Sequence, residues 1–213
     1  MALVSLFRLR PEPGRLADHL AESAELVEHV RRLGYQAANW QALVGGDVGT
    51  TVTTITAVNS TDFAAGMQKS MADDKFQEFM ARASTSGSAT VVETSQFNDV
   101  DPNFQPNPDR PTGFIQATQW RPSPGHMADF MSNVTTAVGH ISRLGGAPRV
   151  MASIFGAHPL TVLVSVGLTD FDAYGAYADA VAGDEQFQTF WAGALANPSA
   201  ELIRSGLYLN LSN

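Results

Sequence analysis

At an offset of 111 residues this chain repeats itself. Arg10, Pro11, Pro13, Gly14, Ala17, Asp18, Val27, His29, Arg32, Leu33 and Gly34 return as Arg121, Pro122, Pro124, Gly125, Ala128, Asp129, Val138, His140, Arg143, Leu144 and Gly145. Chance pairing at ordinary composition would match about one or two positions in such a stretch. A second block, Asp73, Phe76, Gln77, Phe79 and Ala81, returns as Asp184, Phe187, Gln188, Phe190 and Ala192. One supersecondary unit is therefore written twice, and any fold proposed for the chain must divide into two like halves with a shared interface.

Reading one unit from its start, Leu3 to Leu9 is rich in strand formers, and the prolines and glycine that follow predict the end of pairing. Leu16, Leu20, Val27 and Val30 recur at helical spacing, with Gly34 as a C-terminal stop. Ala38 to Val44 and the threonine-rich Thr50 to Val58 read as two strands joined by the turn Gly45-Gly46-Asp47. Ser60-Thr61-Asp62 supplies capping side chains for a second helix reaching Ala83, interrupted near Asp73-Asp74. Thr90 to Phe97 is a fourth strand. The order β-α-β-β-α-β is that of a ferredoxin-like unit, two helices on one face of an antiparallel sheet.

Residues 99–112 carry Pro102, Pro106, Pro108 and Pro111 among polar residues, a composition suited to an extended linker. This divides the chain into a ferredoxin-like half at 1–98, a proline-rich linker at 99–112 and a second half at 113–213. The second unit runs from a strand at Phe114 to Trp120 to a last strand at Ala200 to Leu209, with its second helix read over Phe171 to Ala194. Each sheet has one face left uncovered by its own helices, and the other copy can supply the cover about a pseudo-twofold axis. Glu93 aligns with Arg204 under the repeat. Such a sign difference is open to fused halves and closed to identical subunits, although two unrelated surface charges would read the same way.

Charge excludes some partners. The formal net charge is -8, with Lys69 and Lys75 as the only lysines and no basic run. Such a surface repels phosphate backbones and anionic lipid, so neither nucleic acid nor membrane is expected as a partner. The absence of cysteine removes disulfides, thiolate metal sites and thiol nucleophiles, and leaves a cytoplasmic setting as the default. Met1 to Leu9 lacks a basic leader and reads as a strand rather than a signal peptide.

On this organisation the chain resembles the dimeric α+β barrel superfamily in a tandem, single-chain form. The stretch Tyr174 to Phe190, ending Gly183-Asp184-Glu185-Gln186-Phe187-Gln188-Thr189-Phe190, is similar to the second helix of NIPSNAP-like and antibiotic-biosynthesis-monooxygenase-like members. The expected fold class is thus α+β, two ferredoxin-like halves forming a pseudo-dimeric barrel. The resemblance implies cofactor-independent monooxygenases, cyclases or isomerases, haem enzymes, or members without catalysis.

Helical phase sorts the candidate residues. His29 lies roughly 130 degrees from the centre of the apolar stripe and shares a face with Asp18, Glu25 and Arg32, so His29 and His140 read as structural. His19 lies only about 50 degrees from that centre, and its counterpart is Phe130. It is either a hydrogen-bonded histidine at the core edge or a general base in a pocket between helix and sheet. Trp40, aligned with Met151, is either core or a wall for a planar substrate. In the second unit Phe114, Gln116, Thr118 and Trp120 alternate onto one strand face, with Gln116 and Trp120 as candidate substrate contacts. The dispersed histidines give no metal-ligand spacing, and no phosphate-binding or dinucleotide fingerprint occurs.

The resemblance, together with an inward histidine in one half only, implies a cofactor-independent enzyme for a small hydrophobic, aromatic or polyketide-like molecule, acting by oxygenation, cyclisation or isomerisation. His19 would be the catalytic proton carrier, and Trp40, Gln116 and Trp120 would shape the substrate cavity. A non-catalytic ligand-binding or interaction protein of the same fold is the alternative, and a haem protein the third. The expected state is a monomer or a homodimer, with no cofactor and no metal.

Overall fold

The structure is a computed structural model that describes residues 1–101, 104 and 112–212. The first half runs β1 (Leu3–Pro11), α1 (Leu16–Arg32), β2 (Gln36–Gly45), β3 (Thr51–Ala57), α2 (Ser60–Ala72), α3 (Asp74–Ser86) and β4 (Ala89–Asp99). The second runs β5 (Phe114–Pro122), α4 (Met127–Arg143), β6 (Ala147–Gly156), β7 (Val162–Leu168), α5 (Phe171–Gly183), α6 (Glu185–Ala196) and β8 (Ala200–Asn210). Every element of the second half starts 111 residues after its counterpart. Of the expected linker, residues 102, 103 and 105–111 lie outside the described residues.

All eight strands are antiparallel and close into one barrel, in the order β1-β3-β2-β8-β5-β7-β6-β4. Each half contributes four adjacent strands, and the halves join edge to edge at β2–β8 and β4–β6. Closure leaves no unpaired edge among the described strands, which is the standing hazard of an isolated four-stranded sheet. Because equivalent strands stand four places apart in a ring of eight, the axis relating the halves runs along the barrel. Gly45 and its equivalent Gly156 occupy the two seams with φ of 106° and 133°. A Cβ on Gly45 would run into the Ser205 carbonyl oxygen, and one on Gly156 into Ser95. Only glycine allows both the backbone angle and the approach.

β1 continues through Arg10 and Pro11, two residues beyond the expected end. Past Leu9 it has only β4 alongside, an edge position at which a strand tolerates proline. The buried side of α1 is His19, Ser23, Val27 and Val30, whereas Leu16 is 45% exposed. The stripe is thus rotated from the expected one, because Leu16 sits in the first turn and the sheet contact begins at His19.

The second helix of each unit is broken in two. Asp73 caps α3 by accepting from the Phe76 backbone N–H, and Asp184 caps α6 by accepting from Phe187. Arg32 pairs with Asp73 through both guanidinium nitrogens at 2.8 and 2.6 Å, and Arg143 with Asp184 at 2.8 and 2.8 Å. The hydrogen bonds from Arg143 and from the Phe187 backbone hold the Asp184 carboxyl down at about 2; Arg32 and Phe76 depress Asp73 likewise. His29 packs its ring against Phe76 and Phe79, and His140 against Phe187 and Phe190. The repeated His, Arg and Asp are a helix-breaking clasp between α1 and α3, and again between α4 and α6.

Candidate functional site

Strand side chains alternate between two faces, so closing the sheet gives a helix-covered exterior and a lumen. The exterior holds apolar clusters such as Phe114, Ile141, Val166 and Tyr177 beneath α4 and α5. The lumen encloses a cavity of about 760 Å³, within the range that takes a small organic molecule. Its middle wall is apolar, from Leu6, Trp40, Val52, Phe97, Met151 and Leu163. The Trp40 indole donates to Thr54 Oγ1 at 3.0 Å, which ties the edge of the ring to the neighbouring strand.

One end of the lumen is closed by charge. Glu93 on β4 and Arg204 on β8 come from opposite strands of the ring, yet Arg204 Nη1 lies 2.8 Å from Glu93 Oε2. The pair therefore spans the lumen. Arg8 on β1 joins it, with Nε 3.3 Å from Glu93 Oε2 and Nη1 2.5 Å from Asp47 Oδ2. Asp47, from the β2–β3 turn, also lies 3.4 Å from Arg204 Nε and accepts from the Tyr208 hydroxyl at 2.6 Å. Ser95 donates to Glu93 at 2.9 Å.

The set is two guanidiniums and two carboxylates, balanced in charge, as buried ions must be to offset desolvation. Arg8, Asp47 and Glu93 are all buried, so this end is a floor. Burial alone would raise the Glu93 carboxyl, but the charge and hydrogen bond of Arg204, with Ser95 and Arg8, hold it below its usual range. Burial, and after it the bond to Asp47, pushes the Tyr208 phenol up to about 12. Arg8 Nη1 meets Asp47 by charge but outside hydrogen-bonding geometry.

The other end lies at the level of Ala2, whose carbonyl accepts from Asp99 N. At about 3.3 Å per residue, six residues of β1 put it roughly 20 Å from Arg8. Here Arg149 is clamped by Asp99 at 2.7 and 2.8 Å and lies over the Phe104 ring at 4.2 Å. Arg31, Tyr35, Gln36 and Ser212 complete the rim. Arg31 is exposed, so the lumen opens to solvent on this side.

Of the residues expected from sequence to form the site, the lumen holds Trp40 alone. His19 is 2% exposed and lies on the helix side of the sheet, its Nε2 2.6 Å from Thr51 Oγ1 and 3.4 Å from Ser23 Oγ. Burial lowers its pKa below the ordinary imidazole value, offset in part by Glu22. It does not line the cavity. Its equivalents explain the setting: His19, Ser23 and Thr51 correspond to Phe130, Val134 and Val162, an apolar cluster in the second half. Gln116 and Trp120 share the outward face of β5 with Phe114. Trp120 packs on Phe130 and Trp191, again away from the lumen, because inward positions on β5 are Ile115, Ala117 and Gln119. The expected alternation holds, and the face was the one turned to the helices.

Sequence reasoning passed over Arg8, Asp47 and Tyr208. Their signal is mismatch under the repeat: Arg8 against Gln119, Asp47 against His158, Tyr208 against Phe97 and Glu93 against Arg204. Among the described residues no three histidine, cysteine or carboxylate side chains converge to hold a metal ion, and no helix is long and apolar enough to cross a membrane.

No family model matches the chain, and no curated protein matches its sequence. Solved structures do match. A proposed monooxygenase from Fusobacterium nucleatum superposes with a TM-score of 0.67 at 10% identity, over 99% of this chain and 94% of that one. An anthrone oxidase-like protein gives 0.61 at 14%, over 97% and 91%. A heme-binding protein from Thermus thermophilus gives 0.51 at 9%, over 99% and 90%. At such identities the likeness is one of fold, and fold does not carry activity. The architecture shared with these neighbours is the dimeric α+β barrel, here closed by one chain.

Proposed function

We propose that the lumen is the active site of a cofactor-independent enzyme for a small, largely apolar and planar molecule, entering by the Arg31 side with an oxygen directed at the floor. The observation that carries this reading is the division of one cavity, open at the Arg31 end, into an apolar wall with Trp40 and a guanidinium floor with Arg8 and Arg204. Oxygenation, cyclisation and isomerisation of such molecules share an opening step, loss of an acidic C–H proton to leave an enolate. Preorganised guanidinium N–H groups in a water-poor site stabilise the developing oxyanion, and Glu93 is the carboxylate within the lumen able to take the proton. In oxygenation the enolate passes an electron to dioxygen and the two recombine as a hydroperoxide at that carbon, which takes back the proton from Glu93. Loss of water then breaks the O–O bond, carries off the second oxygen atom and leaves a new carbonyl. The neighbours described as monooxygenase and anthrone oxidase-like agree with this class of chemistry.

One observation favours a second reading, in which the lumen binds without reacting. Both floor carboxylates are held by guanidiniums, and Glu93 lies below its usual range, which weakens it as a base. The haem reading fits the residues poorly. None of His19, His29, His126, His140 and His158 lines the lumen, and the Tyr208 hydroxyl is committed to Asp47. The test is to titrate the protein with a hydroxylated anthrone under nitrogen, following Trp40 emission against a Trp40→Phe control, and then to admit air and record oxygen uptake. Saturable quenching with uptake above the buffer rate supports the enzyme. Quenching without uptake supports the binding protein, and no quenching sinks both.

A further inference from the structure

Among the described residues the lumen of this acidic protein has a positive excess: four arginines line it, Arg8, Arg31, Arg149 and Arg204. Asp47 and Glu93 neutralise Arg8 and Arg204, and Asp99 neutralises Arg149. Arg31 remains. Its Nε donates to the Ala37 carbonyl at 3.1 Å and its Nη1 to the Ser212 carbonyl at 3.5 Å, and no carboxylate pairs with it among the described residues.

Those two backbone bonds hold the guanidinium over the rim from the last turn of α1, where the helix end favours a cation. They leave the rest of its N–H fork without a protein acceptor among the described residues. The fork matches an oxyanion geometrically and donates charge-assisted bonds to it. The counterpart of Arg31 in the second half is Ser142, so only one side of the rim carries this feature.

We infer that the ligand of the lumen is a planar, apolar monoanion whose carboxylate or similar oxyanion is held at the rim by Arg31 while its rings lie along Trp40. The inference rests on the lumen being the binding site, as proposed above. The apolar body accounts for burial and the rim for polarity: the charged end stays half in water and avoids the desolvation that a third buried anion, beside Asp47 and Glu93 on the floor, would cost.

Two fluorescent probes that differ by one charge test it: 8-anilinonaphthalene-1-sulfonate and its neutral analogue N-phenyl-1-naphthylamine. Both are titrated against the wild-type chain, Arg31→Gln and Ala117→Trp, the last filling the lumen wall; Ser165→Phe from the neighbouring strand replaces it if thermal melting shows it unfolded. The wild type is expected to bind the sulfonate about tenfold more tightly than the amine, as one charge-assisted contact allows. Arg31→Gln should erase that preference, leave the amine unchanged and remove the weakening of sulfonate binding by salt. If the preference survives in Arg31→Gln while the lumen-filling variant blocks both probes, the lumen reading stands and the role of Arg31 is refuted. If the lumen-filling variant leaves both probes bound, the site itself is misplaced and both readings fall.

Discussion

Replacing Arg204 by methionine leaves Glu93 without its nearest counter-charge. The lost contact is the 2.8 Å bond to Glu93 Oε2, and the 3.4 Å approach to Asp47 goes with it. Removing one partner of a buried ion pair costs about 3–5 kcal/mol. Two features reduce this: Arg8 remains 3.3 Å from Glu93, and the Arg204 side chain is 20% exposed. A loss of about 2–3 kcal/mol is expected, or about 5–10 °C in Tm for a chain of this size. Glu93→Gln should cost a similar amount, because it leaves two guanidiniums facing Asp47 alone.

The double variant Glu93→Gln/Arg204→Met restores charge balance, with Arg8 and Asp47 still paired, and should fall within about 1 kcal/mol of wild type. Exchanging the two charges is a sharper test. The repeat alone suggests that Glu93→Arg/Arg204→Glu is neutral, since the positions are equivalent. The surroundings say otherwise: the new arginine would meet Arg8 and the new glutamate would meet Asp47, so this double variant should be less stable than the uncharged one. Urea unfolding at pH 7 measures all four. Single variants within about 0.5 kcal/mol of wild type, or strictly additive losses, would refute the account of the floor.

The floor also has an acid limit. Glu93 has a folded pKa below its ordinary value, so its stabilisation is complete above the unfolded value and is lost as pH falls through the folded one; Arg204→Met should flatten that limb. Asp184, held at about 2, acts in the same direction. Asp184→Asn, which keeps a capping oxygen, should lower Tm less than Asp184→Ala. His19 has the opposite chemistry with the same outcome: its neutral form is favoured by burial, so stability falls as pH drops below the ordinary imidazole range. His19→Phe alone leaves the Thr51 hydroxyl unsatisfied and should cost about 1–3 kcal/mol. Adding Ser23→Val and Thr51→Val, the residues of the second half, should recover it, and a melting curve at pH 5 and pH 8 reads both effects. Gly66→Ala should destabilise by about 1–3 kcal/mol, since its Cβ would lie 2.5 Å from Tyr35 Cζ; a wild-type Tm there would mean that Tyr35 moves freely.

The architecture was open to sequence reading because its strongest signals are local and doubled. Arg10 to Gly34 mark a strand exit, a helix and its stop, and their return at one offset makes the two halves equivalent. The clasp of Arg32 and Asp73 was visible as matched residues, though its role in breaking the helix needed the 41-residue contact. The lumen was harder to read. Alternation along β5 separates Gln116 from Ala117, but which face turns inward depends on β8 and β7 beside it. Glu93 and Arg204 were noticed as a sign reversal, yet their contact crosses a ring of eight strands and has no local signature. Compensation between halves hides in the same way. Tyr35 packs over Gly66, whereas Tyr177 packs over Gly146, and these are the same two positions with tyrosine and glycine exchanged.

A barrel of two identical subunits offers any ligand on its axis two equal poses related by rotation. A reactive group placed on one side then meets each face of the ligand equally often. With Glu93 opposite Arg204, and Arg8 opposite Gln119, one rotation aligns an oxygen with cations and the other with a carboxylate and an amide. The statistical factor lost is only RT ln 2, about 0.4 kcal/mol; the charge difference between the two poses sets the preference, so a prochiral molecule reacting there would turn one face to the floor more often than the other, and its product would be enriched in one hand.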